Sequence, residues 1–195
     1  VVPKEPVNET DSVASFRRDY SKTLVMKIAL AIPDGKGGSK VFIDFKKALS
    51  IIKETDELTL HIPKIIYLVG WQYNGHDDKY PAFFEVNAHL KRPEDRSARE
   101  SLIWLYQEAK KYNTTISLHI NMTDAYDDSP LWETYVKNGL ISRTSDGDLM
   151  IIGNYNNREA YQINYKNEWN KGFAQKRIDD LLELLPFLKE AGTIH

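Results

Sequence analysis

Residues 24–32 read Leu-Val-Met-Lys-Ile-Ala-Leu-Ala-Ile, and this stretch decides the fold class of the chain. The run is almost continuously apolar and partly β-branched, and Pro33, Asp34 and Gly35 end it. An apolar run bounded by turn residues is typical of a strand buried on both faces. Such strands occur in parallel sheets covered by helices, so the stretch predicts an α/β protein.

The segments that follow alternate between helix and strand patterns, which implies right-handed crossovers and a parallel sheet. Ser97 and Glu100 have the form of a capping box at a helix start. In chain order we expect a helix over 41–52, where apolar residues recur at helical spacing, then a strand over 64–71, a helix over 98–112 and a strand over 114–122. A short helix over 130–137 follows, and then a hairpin with strands 149–152 and 161–165 and a turn at 145–148. The chain ends with a helix over 171–190, kinked near Pro186, and a fourth main strand that brings His195.

This order of elements predicts a partial (β/α)8 (TIM) barrel, namely its first three to four β/α units. A complete barrel needs about 250 residues, whereas this chain has 195. We expect residues 23–195 to form the N-terminal half of such a barrel, with a small open sheet as the alternative. Residues 1–22 show no clear period and are expected to be a linker or the end of a preceding domain. An open sheet edge would favour self-association.

Composition narrows the classes of partner. The chain has 26 Lys and Arg residues against 28 Asp and Glu residues, a net charge of −2, with a pI of about 6.2. It therefore lacks the positive charge that binding to a nucleic acid needs. No apolar run approaches the roughly 18 to 20 residues needed to cross a bilayer. The absence of cysteine excludes disulfides, a thiolate nucleophile and Cys-ligated metals.

Polar side chains follow the predicted strands at their carboxyl ends, where parallel α/β folds build their ligand sites. His76, Asp77 and Asp78 come after the second strand, and His119 and Asn121 end the third. His119 and Asn121 are two residues apart, so both point to the same side of that strand. There they either bind a ligand or form an internal hydrogen-bond network.

The same loops are rich in aromatic residues. Taken singly, each ring is more often a core residue than a ligand contact. Together with carboxylates and amides they favour a sugar, because its C–H faces stack on rings and its hydroxyls hydrogen-bond to polar groups. The rings are those of Trp71, Tyr73, Tyr80, Phe83, Phe84, Tyr126 and Trp132.

Five segments resemble, in order and spacing, the opening half of the catalytic barrel of the endo-α-N-acetylgalactosaminidases. They are residues 24–32, residues 64–68, the Gly75-His76-Asp77 loop, residues 118–121 preceded by Tyr112, and residues 124–126. The resemblance spans residues 24–195. It implies a bacterial glycoside hydrolase that releases O-linked disaccharide from mucin-type glycoproteins. The partner would be a glycan or glycoprotein, and the location extracellular, periplasmic or on the cell surface.

The resemblance also implies roles for individual residues. Asp77 would bind sugar hydroxyls with His76 beside it, and Tyr155 stands in a segment where the family carries a tryptophan-rich loop. The nucleophilic aspartate would come just after His195 and the acid/base glutamate from the next strand, so the chain alone would be inactive. We expect no cofactor and no metal. The expected substrate-binding residues are His76, Asp77, His119, Asn121, Asp124, Tyr126 and Tyr155.

Two other function classes fit the same residues. In a metal-dependent hydrolase, His76, Asp77, Asp78 and His119 would supply nitrogen and oxygen ligands at the expected face of the fold, although their spacing matches no metal motif. In a non-catalytic carbohydrate-binding domain, the same groups would hold a sugar without hydrolysing it.

Overall fold

The computed structural model describes residues 19–155, 157–191 and 193–195. Most of the predicted N-terminal linker, up to residue 18, lies outside this range. Tyr20–Lys22 form a single turn of 3-10 helix. Among the described residues, no helix combines the length and the apolar character that crossing a membrane requires.

The described residues form a mixed α/β structure. In chain order its elements are β1 (Leu24–Ala29), β2 (Ala31–Pro33), β3 (Ser39–Val41), α1 (Phe45–Leu58), β4 (Lys64–Val69), a 3-10 turn (Ala88–Leu90), α2 (Ala98–Lys110), β5 (Thr114–Leu118), β6 (Asp124–Tyr126), α3 (Trp132–Lys137), β7 (Ile151–Tyr155), β8 (Arg158–Gln162), α4 (Tyr165–Asn170), α5 (Phe173–Leu184) and α6 (Leu188–Ala191).

The central sheet has the order β1-β4-β5, and both pairings are parallel. Beside β5 the pattern continues, because His195 donates its N–H to the Leu118 carbonyl (3.0 Å) and accepts from the Ile120 N–H (2.8 Å). This is the position predicted for a further parallel strand. Phe45 of α1 and Leu102 of α2 are buried in the core that contains the sheet residues Ile66 and Leu68.

The predicted strand over residues 24–32 is divided in two. β1 ends at Ala29, and the Leu30 carbonyl accepts hydrogen bonds from the N–H groups of Phe42 and Ile43. The chain then turns into β2, which pairs with β3 in an antiparallel hairpin. The expectation of burial on both faces was wrong for β1, whose side chains alternate and leave Val25 45% exposed. One face of this strand is open.

The N-terminal ends of α1 and α2 differ from the predictions. Val41 belongs to β3, and α1 begins only at Phe45, after the Asp44 carboxylate caps it by accepting from the Lys47 N–H (2.8 Å). At α2, the Ser97 hydroxyl accepts from the Glu100 N–H as predicted (3.1 Å), but the Glu100 carboxylate accepts from Arg96 instead of completing the box.

The predicted last helix is broken near its end. α5 ends at Leu184, and α6 begins after Pro186. The kink expected near Pro186 is therefore a break between two helices, since proline has no N–H to continue the ladder.

The predicted hairpin is present, but its turn lies elsewhere in the chain. β7 pairs directly with β8, with Tyr155 opposite Arg158, and β6 joins the other edge of β8. The predicted turn at 145–148 is a separate small loop closed by a bridge between Arg143 and Leu149. Asn157 has a φ of +62°, a conformation that asparagine tolerates. The sequence pattern therefore placed the hairpin turn at residues 145–148, whereas the hairpin of β7 and β8 turns later in the chain.

The loop after β4 passes close behind β2. Gly75 has a φ of +135°, and a Cβ built there would lie 2.6 Å from the Ile32 Cα and 2.7 Å from the Ala31 carbonyl oxygen. The adjacent His76 N–H donates to that carbonyl at 2.9 Å. Only glycine allows this approach, which sets the position of the residues that follow.

We expect Gly75→Ala to lower the free energy of unfolding far more than Gly139→Ala. Gly139 also has a positive φ, +64°, but a Cβ at that position would have no atom of the described residues within 4 Å. Its substitution carries only the backbone penalty of about 1 kcal/mol, whereas Gly75→Ala adds a clash with β2 and should cost at least twice as much. Denaturant unfolding of both variants measures the difference. Equal losses would show that the close approach is not a constraint.

Candidate functional site

Two loops meet at the carboxyl ends of β4 and β5. His76 and Asp77 come from the loop after β4, and their Nδ1 and Oδ1 atoms lie 3.2 Å apart. The angles between them are not those of a hydrogen bond, and both atoms are buried with no hydrogen-bond partner in the described part of the chain. Two buried polar atoms without a partner are the kind of groups that a polar ligand satisfies.

His119 lies opposite this pair, just past the end of β5. Its ring centroid is 5.3 Å from that of His76, and one ligand atom from each of His76, Asp77 and His119 lies within 4.8 Å of the others. The His119 Nδ1 is 3.1 Å from the His195 Nδ1 and 3.4 Å from the Lys27 Nζ. The predicted convergence of the two strand ends is therefore present.

Asn121 joins the two loops. Its side-chain oxygen accepts from the Thr123 N–H and from the Thr123 hydroxyl, both at 2.7 Å. It also lies close enough to Asp77 to lower the pKa of that carboxyl, against the larger effect of burial. Asn121 thus lies at the same cluster as His119, although the strand predicted over 114–122 ends at Leu118 and both residues follow it.

Asp124 and Tyr126 form a buried wall beside Asp77. Both lie on β6, Asp124 7% exposed and Tyr126 0% exposed. The Asp124 carboxylate accepts from the Thr123 hydroxyl. The Tyr126 hydroxyl has no partner among the described residues, and burial, together with the charges of Asp77 and Asp124, raises its pKa.

Tyr155 lies apart from the cluster. It is 49% exposed on β7, where it is paired in register with Arg158. Within the described residues, no hydrogen bond, ion pair or ring contact joins Tyr155 to the other six predicted residues. The structure brings His76, Asp77, His119, Asn121, Asp124 and Tyr126 together and leaves Tyr155 at the hairpin.

Several residues of the site were not predicted as substrate-binding residues. Gln72 and Tyr80 are fully buried, and their side-chain polar atoms lack hydrogen-bond partners among the described residues. The Asp77 charge raises the pKa of Tyr80, after the larger effect of burial. Lys27 and Arg158 come from β1 and β8, far along the chain from the residues they contact. Gln72, directly after a strand, and Tyr80, among the aromatic residues of the same loop, are the two that the sequence could have indicated.

The predicted aromatic stacking surface is mostly core. Trp71 is 0% and Phe83 1% exposed, and the two rings stack with centroids 6.4 Å apart. Tyr80 packs edge-on against Phe83 at 5.7 Å. Of the aromatic residues between Trp71 and Phe84, only Phe84 is exposed, at 45%. The expectation that these rings face a ligand was wrong, because strand-end loops this long need their own hydrophobic core.

Burial shifts the pKa values of two central groups in opposite directions, because it favours the uncharged form of each. Desolvation raises the pKa of Asp77, and the charge of Asp124 adds to this, against the opposing effects of His76 and Asn121. Desolvation, followed by the charges of Lys27, His76 and His195, lowers the pKa of His119 to about 4. At neutral pH His119 is therefore an uncharged imidazole that can both donate and accept a hydrogen bond.

This arrangement can bind a polar, uncharged ligand. Neutral imidazole, an amide and a carboxylate supply donors and acceptors next to unpartnered tyrosine hydroxyls. The three groups of His76, Asp77 and His119 could also hold a metal ion, since neutral imidazole and carboxylate are metal ligands. The Lys27 ammonium beside His119 opposes a second cation there.

Comparison with known proteins identifies the family. The model of the endo-alpha-N-acetylgalactosaminidase family matches residues 16–192, and this chain belongs to that family. Among curated proteins, no sequence matches the chain.

Solved structures share the fold. The ligand-free α-N-acetylgalactosaminidase NagBb of Bifidobacterium bifidum superposes with a TM-score of 0.66 at 9% identity, over 84% of this chain. A trehalose-6-phosphate hydrolase of Bacillus licheniformis (TM-score 0.52, 12% identity) covers 84% of the chain, and an α-amylase of Lactobacillus plantarum (0.51, 13%) covers 82%. The chain spans 26%, 34% and 35% of these three structures, respectively.

The titration of His119 gives a stability test. Its folded pKa of about 4 lies below the ordinary value of 6.5, so the unfolded chain takes up the proton first as the pH falls. We expect the free energy of unfolding to decrease as the pH falls from about 6.5 toward 4, and the decrease to be smaller in a His119→Gln variant. Denaturant unfolding across this window measures both slopes. Identical slopes would contradict the assignment.

Proposed function

We propose that this chain forms the N-terminal half of the catalytic barrel of a retaining glycoside hydrolase that acts on α-linked, mucin-type O-glycans. Residues 23–195 would supply the first three to four β/α units, preceded by a linker over residues 1–22. The observation that carries the proposal is the convergence of the His76–Asp77 loop with His119 and Asn121. This convergence occurs in a chain of the endo-alpha-N-acetylgalactosaminidase family.

In this proposal the site grips sugar hydroxyls. The Asp77 carboxylate accepts from hydroxyls, neutral His119 can donate or accept, and Asn121 holds Asp77 in place. Hydrogen bonds to a charged group contribute about 1.5 to 3 kcal/mol each, so Asp77 supplies the largest single share. Asp124 and Tyr126 close the wall, and Tyr155 would reach the sugar only after the hairpin moves toward it.

The catalytic pair belongs to other strands in this proposal. Retaining hydrolysis needs two carboxylates about 5 to 5.5 Å apart, one attacking the anomeric carbon and one protonating the leaving oxygen. The nucleophilic aspartate would follow His195 and the acid/base glutamate would come from the next strand, so residues 1–195 alone would bind sugar without turnover. The partner is then a glycan or glycoprotein outside the cell or in the periplasm, and an isolated half-barrel would self-associate through its open sheet edge.

A second candidate, a metal-dependent hydrolase, rests on the 4.8 Å cluster of His76, Asp77 and His119. Elemental analysis of the purified protein separates the two candidates. Stoichiometric zinc, manganese or iron that His119→Gln abolishes would support the metal hydrolase, and the absence of these metals would leave the glycosidase.

The main experiment replaces Asp77 in the protein that carries this chain. Asp77→Asn removes the charge while keeping the shape, and we expect kcat/KM on an aryl α-glycoside of the O-linked disaccharide to fall about 10- to 100-fold, as loss of a charged hydrogen bond predicts. The matched control is Asp146→Asn, because Asp146 lies in the exposed turn of the separate small loop. Unchanged turnover in Asp77→Asn would reject the proposed site.

A further inference from the structure

The loop that carries Asp77 is held in an unfavourable backbone conformation. Tyr73, Asp77 and Lys79 have φ values of +43°, +54° and +61°. Residues with a Cβ pay of the order of 1 kcal/mol or more each in this region, and such conformations persist only where the surroundings fix them. Aspartate tolerates this conformation better than other residues with a Cβ, but Tyr73 and Lys79 on either side of Asp77 do not, so contacts from outside the loop must hold this segment.

Arg158 makes that contact. Its Nη2 donates to the Asp77 carbonyl at 3.0 Å, and its Nη1 donates to the Asp78 carboxylate at 2.6 Å and to Asp128 at 3.3 Å. The other Asp78 oxygen accepts from the Asn74 N–H at 3.0 Å. One guanidinium thus ties the loop at Asp77 directly and at Asn74 through Asp78.

The guanidinium is itself fixed. Arg158 begins β8, which is hydrogen-bonded between β7 and β6, and its guanidinium carbon lies 4.7 Å from the centroid of the Tyr126 ring. Tyr126, in turn, donates its N–H to the Tyr80 carbonyl at the end of the loop (2.9 Å). The small antiparallel sheet therefore provides a rigid base for the contact.

We propose that Arg158 is a positioning residue that sets the orientation of Asp77 for sugar binding, an inference that rests on the function proposed above. Its role is geometric and not only electrostatic. Lys79 already pairs with Asp128 at 2.8 Å, so positive charge is present without Arg158. A lysine at position 158 would keep the charge, but a single ammonium lacks the planar fork that reaches Asp77 and Asp78 at once while stacking on Tyr126.

The test compares Arg158→Lys and Arg158→Met with a matched control, Arg143→Lys. Arg143 also donates to a backbone carbonyl in a loop, that of Gly147, but it lies in the turn away from the site. Two quantities are measured: amide hydrogen exchange at Asn74, Gly75 and His76, and the affinity for N-acetylgalactosamine. Arg158→Lys covers the case in which Arg158→Met does not fold.

We expect both Arg158 variants to speed exchange at the three amides at least tenfold and to weaken sugar affinity at least tenfold, with Arg143→Lys unchanged. The proposal is overturned if Arg158→Lys keeps the wild-type exchange rates, or if exchange speeds up while affinity stays the same. If the wild-type protein does not bind N-acetylgalactosamine, the proposed function fails. Faster loop exchange in Arg158→Lys would then still support the positioning of Asp77 itself.

Discussion

Three residues of the candidate site have backbone carbonyls that accept hydrogen bonds from side chains of neighbouring elements. Arg158 donates to the Asp77 carbonyl (3.0 Å), the Trp71 indole to that of His119 (3.0 Å), and Arg177 to that of Asn121 (3.0 Å). A binding group must be held close to its productive geometry by neighbours that are themselves fixed. Arg158 lies on β8, Trp71 just past the end of β4 and Arg177 on α5. The loops of the site are therefore held by elements of regular secondary structure.

Arg177 is the most extensively hydrogen-bonded of these three donors. It is 2% exposed, and besides Asn121 it donates to the carbonyls of Pro81 and Met122 and to the Glu168 carboxylate. Burying an unpaired charge is costly, whereas a paired and fully hydrogen-bonded one is tolerated. The Tyr135 hydroxyl completes the network by donating to Glu168 at 2.7 Å. One buried ion pair thereby links the segments that follow β4 and β5 to α4 and α5.

The sequence was informative where one strong local signal decided the structure. The apolar runs around Ile66 and Ile116 placed two parallel strands correctly, although β5 ends at Leu118, so His119 and Asn121 follow the strand and do not lie on it. The sequence was uninformative where contacts between distant segments determine the structure. Arg158 contacts Asp77 across 81 positions in the chain, and nothing local distinguishes it from a surface arginine. The buried side of the site, including Gln72, depends on packing that periodicity does not encode.

The proposed function requires the ends of β4 and β5 to hold a sugar together through Asp77, His119 and Asn121. A crystal structure of the protein that carries this chain, with N-acetylgalactosamine bound, would show this contact directly. We expect sugar hydroxyls within about 2.6 to 3.2 Å of these three side chains, the ordinary range for hydrogen bonds. A metal ion held by His76, Asp77 and His119, or a sugar bound at another surface, would contradict the proposed function.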